Sequence, residues 1–182
     1  AVQISGTAMR SDPWQHWQHL PPVVRPYFLK RVALAGGDAA ARAHLAQELA
    51  AVYGTCCVPD YATTFTADLA RNIPGWREAD ISADDIHTIA RGQMASAAAL
   101  ARQATRVIFS ATTLQELKNQ SHARYGHSPA WLAQTAADEK FDVVLSLDGK
   151  SGGRDAIPLA VPTLAAALAA LSGHLPPPSK AV

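Results

Sequence analysis

The residues of this chain whose types and spacing could do chemistry begin with Gly36-Gly37-Asp38. They stand between an apolar run, Val32-Ala33-Leu34-Ala35, and an alanine-rich stretch that contains Arg42. A strand, a glycine turn and a helix in that order form the arrangement that cradles phosphates, because turn amides and the positive helix end face the anion. The full pattern is G-x-x-x-x-G-K-[ST]: the glycines let the backbone wrap the phosphates, the Lys reaches the β/γ oxygens, and the hydroxyl holds Mg²⁺. Here only Gly36 fits it. Ala41 puts a Cβ at the second glycine position, Arg42 offers a planar guanidinium in place of a compact ammonium, and Ala43 has no hydroxyl for magnesium. A G-x-G-x-x-G dinucleotide fingerprint is absent. Gly36, Gly37, Asp38 and Arg42 are the candidate phosphate-binding group.

Other reactive side chains form no recognisable constellation. Cys56 and Cys57 are adjacent, which is neither a disulfide framework nor a metal-ligand spacing, and they read as small buried hydrophobes beside a strand. Seven histidines are scattered; His122 and His127, five residues apart, come nearest to a ligand spacing, and no metal site is expected. His44 reads as a solvated helix residue.

The elements that must position these residues follow from periodicity. Val32 to Ala35 is a buried strand closed by a tight turn. Asp38 caps a helix with Leu45, Leu49 and Val52 on one face, and Gly54 stops it. Thr55 to Val58 is a second strand, followed by a turn at Pro59-Asp60. A helix is expected from Ser82, with Asp85 completing a capping-box variant, to about Thr105. Val107-Ile108-Phe109 is a strand, Leu114 to Ala123 a polar helix, Trp131-Leu132 part of a short helix, and Phe141 to Leu147 the last clear strand. Strands alternating with helices, with unbroken apolar runs, predict an α/β domain with a mainly parallel sheet. Its ligands belong at the carboxyl ends of the strands, so the turns after Ala35, Val58 and Phe109 should line any site. The segment from Asp12 to Tyr27, rich in Trp, His and Pro, reads as an irregular, extended connector whose Trp14, Trp17 and Tyr27 are pinned to the domain surface.

With 182 residues, 48% of them hydrophobic and 17% charged, the chain can bury the core of one domain, which excludes disorder as its main state. Sixteen Lys+Arg against fifteen Asp+Glu, with no basic block, argue against a nucleic-acid partner. The most apolar stretch, Ala156 to Leu171, is interrupted by Pro158 and Pro162, and the helix left from Thr163 falls well short of the roughly 20 residues a membrane span needs, so no membrane partner is expected. No signal peptide stands at Ala1, and the two cysteines suit a cytoplasmic location.

Five stretches carry a resemblance. Val32 to Tyr61, with Tyr53-Gly54-Thr55 and Val58-Pro59-Asp60-Tyr61-Ala62-Thr63, is similar to the ribosylnicotinamide kinase domain of the NadR family of bacterial NAD-biosynthesis proteins, where the second segment is typically Val-Pro-Glu-Tyr-Ala-Arg. Ile89-Ala90-Arg91-Gly92-Gln93 resembles the family's middle helix, and Tyr125-Gly126, Pro129 and Trp131 its Phe-Gly…Pro-x-Trp segment. Upstream, Ile4-Ser5-Gly6-Thr7-Ala8-Met9-Arg10 looks like the motif that closes an adenylyltransferase domain, and Leu20 to Phe28 like the connector that follows it. The match runs in order from about residue 2 to residue 147. It implies a P-loop NTPase-like, three-layer domain over residues 31–154. Residues 1–30 would be the remnant motif and connector, with Ser5, Thr7 and Arg10 as a loose tail, and 155–182 a C-terminal helix and Pro-rich tail. The implied partners are a missing N-terminal adenylyltransferase domain and a nucleotide or nicotinamide riboside, and the implied cofactor is ATP.

Against the family pattern the chemical positions have drifted. The family's Asp-x-Asp falls on Ala111 and Thr113, and Thr63 replaces an Arg. Asp60 keeps an acid one methylene shorter and is the one catalytic candidate. In the lid segment, Lys150 and Arg154 of Asp148-Gly149-Lys150-Ser151-Gly152-Gly153-Arg154 are the remaining phosphate-reaching candidates within a glycine-rich loop. Phosphoryl transfer depends on charge neutralisation by Mg²⁺, Lys and Arg, so a chain without the Lys and the hydroxyl reads as a degenerate, catalytically weak or inactive nucleotide-binding module with doubtful Mg²⁺. The alternatives are an active kinase with an atypical P-loop and a regulatory protein-interaction domain.

Overall fold

Val32, Ala33 and Leu34, all completely buried, form the centre of the sheet. A computed structural model of the chain describes residues 6–149 and 156–178. Its elements are α1 (Gly6–Ser11), β1 (Lys30–Ala35), α2 (Ala39–Tyr53), β2 (Cys57–Val58), α3 (Tyr61–Asn72), α4 (Asp85–Ala101), β3 (Val107–Ser110), α5 (Leu114–Tyr125), α6 (Ala130–Asp138), β4 (Val143–Ser146), β5 (Ala156–Pro158) and α7 (Leu164–Leu171). The strands form one parallel sheet in the order β2-β3-β1-β4-β5. Val32 stands opposite Phe109 on one side and Val143 on the other. The architecture is the P-loop NTPase-like one, a mostly parallel sheet flanked by helices.

One face of the sheet packs Val32, Leu34, Phe109 and Leu145 against Leu45, Leu49 and Tyr53 of α2 and Ala167 and Leu171 of α7. Burying a leucine of this kind contributes about 1.5–3 kcal/mol. The other face packs Val58 and Ile108 against Ala97, Leu100 and Ala101 of α4, together with Trp17, Leu20 and Leu29 of the N-terminal connector. A third cluster joins α4, α5 and α6 through Ile89, Leu117 and Leu132.

Both ends of α2 are as the sequence predicts. The Asp38 carboxylate accepts from the Ala41 amide at 3.0 Å, and Gly54 closes the helix at φ 62° in the left-handed region. Thr55, next in line, joins two corners: its Oγ1 accepts from the Thr105 amide and donates to the Val107 carbonyl, while the Thr105 hydroxyl donates to the Gly54 carbonyl. This lock ends α4 at Ala101, short of the expected Thr105. It also holds Arg106 at φ 61°, a left-handed backbone on a non-glycine residue. At the other end of α4, Ser82 and Asp85 make the expected reciprocal bonds, but the helix starts only at Asp85, three residues after Ser82.

Four expectations need correction. The connector is not extended throughout: Trp17–His19 and Arg25–Tyr27 are single 3₁₀ turns, the second with Pro26 in its first turn, where a missing amide costs nothing. Within it Trp17 is buried and the Trp14 indole donates to the Phe28 carbonyl at 2.8 Å, whereas Tyr27 is 86% exposed. Thr7 and Arg10, expected in a loose tail, lie in α1; Ser5, expected with them, lies outside the described residues. Finally, β2 is only two residues long, so Cys56 and Cys57 are half-buried and pack toward opposite faces of the sheet. Burial and the neighbouring Cys56 push the Cys57 thiol up to about 11. Among the described residues, no helix is long and apolar enough to cross a membrane and no cluster of three or more His, Cys, Asp or Glu could hold a metal ion.

Candidate functional site

The carboxyl ends of β1 and β3 meet at the glycine turn, and the turn is tight for physical reasons. Gly36 and Gly37 have φ of 67° and 60°. A Cβ on Gly36 would stand 2.7–3.0 Å from the Asp148 carboxyl group, and one on Gly37 would stand 3.1 Å from Leu147 Cβ. At both positions a side chain would be strained by the left-handed backbone and crowded by its neighbour.

Arg42 sits beneath this turn, 2% exposed. Its Nε donates to the Ala111 carbonyl, and its Nη1 donates to both the Gly36 and Gly37 carbonyls, each at 3.0 Å. The guanidinium expected to face a phosphate therefore ties the β1–α2 turn to the end of β3. It can do so because α2 already begins at Ala39: residues 39–41, which the phosphate-wrapping pattern needs as loop, form the first helical turn. Asp38 is the N-cap of that turn and meets the positive end of α2 with its own carboxylate. Ala111 and Thr113, on the family's acid positions, serve the backbone: the Ala111 carbonyl receives Arg42, and Thr113 caps α5 by accepting from the Glu116 amide at 3.0 Å.

Asp60 faces a different space. A cavity of about 430 Å³ opens between α3, α4 and α5, lined among others by Asp60, Thr63, Glu78, Ile86, Leu117 and Tyr125. Asp60 caps α3, its Oδ1 accepting from the Ala62 amide at 3.0 Å. Burial raises its carboxyl above the ordinary range, as does Glu116 to a lesser degree, against the lowering pull of the Ala62 amide and of Arg42. The start of α3 is fixed by a second contact: the Tyr61 amide donates to Gln93 Oε1 at 2.8 Å, and the Tyr61 ring lies on Gly92 so closely that a Cβ there would meet it at 2.1 Å. Two segments far apart in sequence, Val58–Thr63 and Ile89–Gln93, thus meet in space. The outer wall is held by α5, where Arg124 Nη2 donates to the Glu78 and Ala79 carbonyls at 2.9 Å and the Tyr125 hydroxyl to the Ile81 carbonyl at 2.6 Å. An apolar wall of Ile81, Ile86, Ile89 and Leu117 facing the polar groups of Asp60, Thr63, Thr66, Glu78, Gln120 and Arg124 suits a flat ring that carries hydrogen-bonding groups.

A smaller cavity, about 270 Å³, lies by Gly36 and is lined by Thr113, Glu116, Glu139, Ser146 and Asp148. Glu139 accepts from the Leu114 amide at 2.8 Å, and burial raises its carboxyl.

Of the expected site residues, Gly36, Gly37, Asp38 and Arg42 come together at the head of α2, and Asp60 faces the larger cavity. Lys150 and Arg154 lie outside the described residues. Sequence reasoning missed Glu78 and Arg124, which stand in a polar loop and on a polar helix with no spacing to mark them.

Comparison with known proteins agrees with this fold. A family model described as an AAA domain matches residues 31–155. The trifunctional NAD biosynthesis/regulator protein NadR of Escherichia coli (strain K12) is 23% identical over 150 residues, covering 82% of this chain and 36% of its own. That of Salmonella typhimurium (strain LT2) gives the same values. The chain thus spans about a third of the length of these relatives. Crystal structures of NadR in complex with NR and with NAD and AMP-PNP match at TM-scores of 0.65 and 0.66, with 20% identity over 77% of this chain and 39% and 40% of theirs. On these matches and its parallel, helix-flanked sheet, the chain belongs to the AAA domain family.

Proposed function

We propose that this chain is a NadR-like domain of the ribosylnicotinamide-kinase type that keeps the acceptor-side pocket and has lost phosphoryl transfer. The carrying observation is Arg42: its Nε and Nη1 are bound to three backbone carbonyls beneath the glycine turn, where the chemistry calls for a cation free to reach a phosphate. ATP with Mg²⁺ is the cofactor the family implies, and the residues here do not fit it. Ala43 and Ala111 offer neither hydroxyl nor carboxylate to a metal, and Asp38 lies where a phosphate would meet the helix. Losing one preorganised donor typically removes about 2.7–4 kcal/mol of transition-state stabilisation, so several such losses leave little of an enzyme's acceleration.

The pocket beside Asp60 remains. Its apolar wall suits the flat ring of nicotinamide riboside, its Asp60, Thr63 and Gln120 side chains suit the charge and hydroxyls of that ligand, and NadR has been crystallised in complex with NR. Asp60 is the residue that would hold the ligand's charge or hydroxyls. The function is then recognition of an NAD-related ligand, next to the adenylyltransferase domain that the longer relatives imply as a partner.

The test is an assay of phosphoryl transfer from ATP to nicotinamide riboside with Mg²⁺, run beside binding of the riboside. Binding without product, weakened at least tenfold by Asp60→Ala, is the expected result. Product formation abolished by Asp60→Ala would instead establish an active kinase with an atypical turn, a reading favoured only by the raised Asp60 carboxyl, which suits a base.

A further inference from the structure

We propose that the glycine turn is self-occupied, by Arg42 from beneath and Asp38 from above, and that the ligands of this chain are nucleosides lacking a polyphosphate. The inference rests on the reading of the Asp60 cavity as a ligand pocket and narrows the class of ligand it takes.

Three independent features close the turn. The first is winding: α2 starts at Ala39, so the amides of residues 39–41 run along a helix axis and do not encircle a central point. Such a helix end retains a single anion position. The second feature fills that position, since the Asp38 carboxylate accepts from the Ala41 amide and supplies the negative charge the helix end favours. The third is Arg42. Drawing the Gly36 and Gly37 carbonyls onto one guanidinium nitrogen fixes the orientation of both peptide planes. With its Nε bound to the buried Ala111 carbonyl as well, the side chain cannot swing out to a phosphate without giving up that bond and its two bonds to the part-buried carbonyls of the turn. Gly36 is in addition overlain by the Asp148 carboxyl group, a second acid flanking the turn.

A polyphosphate approaching this turn meets the Asp38 carboxylate at the helix end and no wrapping loop. Each phosphate added to a ligand should therefore bring no gain in affinity, the opposite of a working phosphate cradle.

The experiment compares calorimetric titrations of adenosine, ATP, nicotinamide riboside and inorganic tripolyphosphate into the unmodified chain, with and without Mg²⁺. The proposal expects ATP to bind no tighter than adenosine and tripolyphosphate to give no heat at millimolar concentration, in either condition. ATP binding at least tenfold tighter than adenosine, or micromolar tripolyphosphate, overturns it, while leaving intact the reading of the chain as a ligand-binding module. A second arm uses the triple variant Ala41→Gly/Arg42→Lys/Ala43→Thr, which restores the motif residues. It should gain at least tenfold in tripolyphosphate affinity, and a folded variant with no gain would show that these side chains are not what closes the turn. If neither nucleoside binds the unmodified chain, the pocket reading fails, and the triple variant alone decides whether the turn is closed by its own residues.

Discussion

Replacing Arg42 by Met separates a structural arginine from a phosphate-reaching one. Met keeps the length and much of the volume of the side chain but removes all three hydrogen bonds, leaving the Gly36, Gly37 and Ala111 carbonyls without this partner. A hydrogen bond involving a charged group is worth about 1.5–3 kcal/mol net. Against that loss stands the cost of keeping a guanidinium out of water, which the variant no longer bears. With Arg42 only 2% exposed, both effects are near their full size. We expect a net destabilisation of about 3 kcal/mol, at the upper end for single substitutions. For a chain of this length that lowers the melting temperature by roughly 6–12 °C. Urea denaturation with a common slope for both proteins reads the free energy directly. A difference under about 1 kcal/mol would refute the account, because a side chain kept for a ligand leaves the empty protein nearly as stable without it.

Gly92→Ala should destabilise by about 1–3 kcal/mol through overpacking, since its Cβ would meet the Tyr61 ring at 2.1 Å; thermal melting checks this, and an unchanged midpoint would mean that Tyr61 is not seated there. Asp60→Asn keeps the capping oxygen for Ala62 and removes the charge. Because burial raises the Asp60 carboxyl, the folded state holds its proton more tightly than the unfolded chain. That contribution to stability is complete below the ordinary carboxylate range and is lost as pH rises through the raised value. The Asn variant should therefore gain stability relative to the parent at pH 7 and lose that advantage toward pH 3, as melts across this range will show; the same gain at both ends would contradict the assignment. Arg106→Gly should leave stability unchanged or raise it by up to about 1 kcal/mol by relieving a left-handed backbone, and a clear loss in chemical denaturation would show that the arginine side chain is needed there.

Much of the frame was legible in the sequence because local chemistry and tertiary packing agree there. Asp38 and Gly54 bound α2, apolar runs mark β1 and β3, and Thr163 caps α7 as the pattern from Thr163 to Leu171 suggests. What escaped was structure that owes little to local pattern. α3 went unread because Thr63, Thr64, Phe65 and Thr66 are poor helix formers and none of its residues is fully buried, leaving only the Asp60 cap as a signal. β5 is three residues long, ends in Pro158 and pairs only with β4, so it is visible only once the sheet is assembled. In the candidate site, the loss of Lys and hydroxyl was plain from residue types, and the similarity of Val58–Thr63 and Ile89–Gln93 to one family pointed to Asp60. The direction of Arg42 was not, since a guanidinium on the fourth residue of a helix has reach both to an incoming anion and to the carbonyls beneath it. Burial decided between them.

The central claim, a pocket that binds without a cradle that transfers, is tested most directly by titrating nicotinamide riboside into the chain with and without ATP and Mg²⁺, and analysing the cell contents afterwards for phosphorylated riboside. The account predicts the same binding heat and affinity in both titrations, with no product. Riboside affinity that depends on ATP and Mg²⁺, or accumulation of the phosphorylated product, would contradict it.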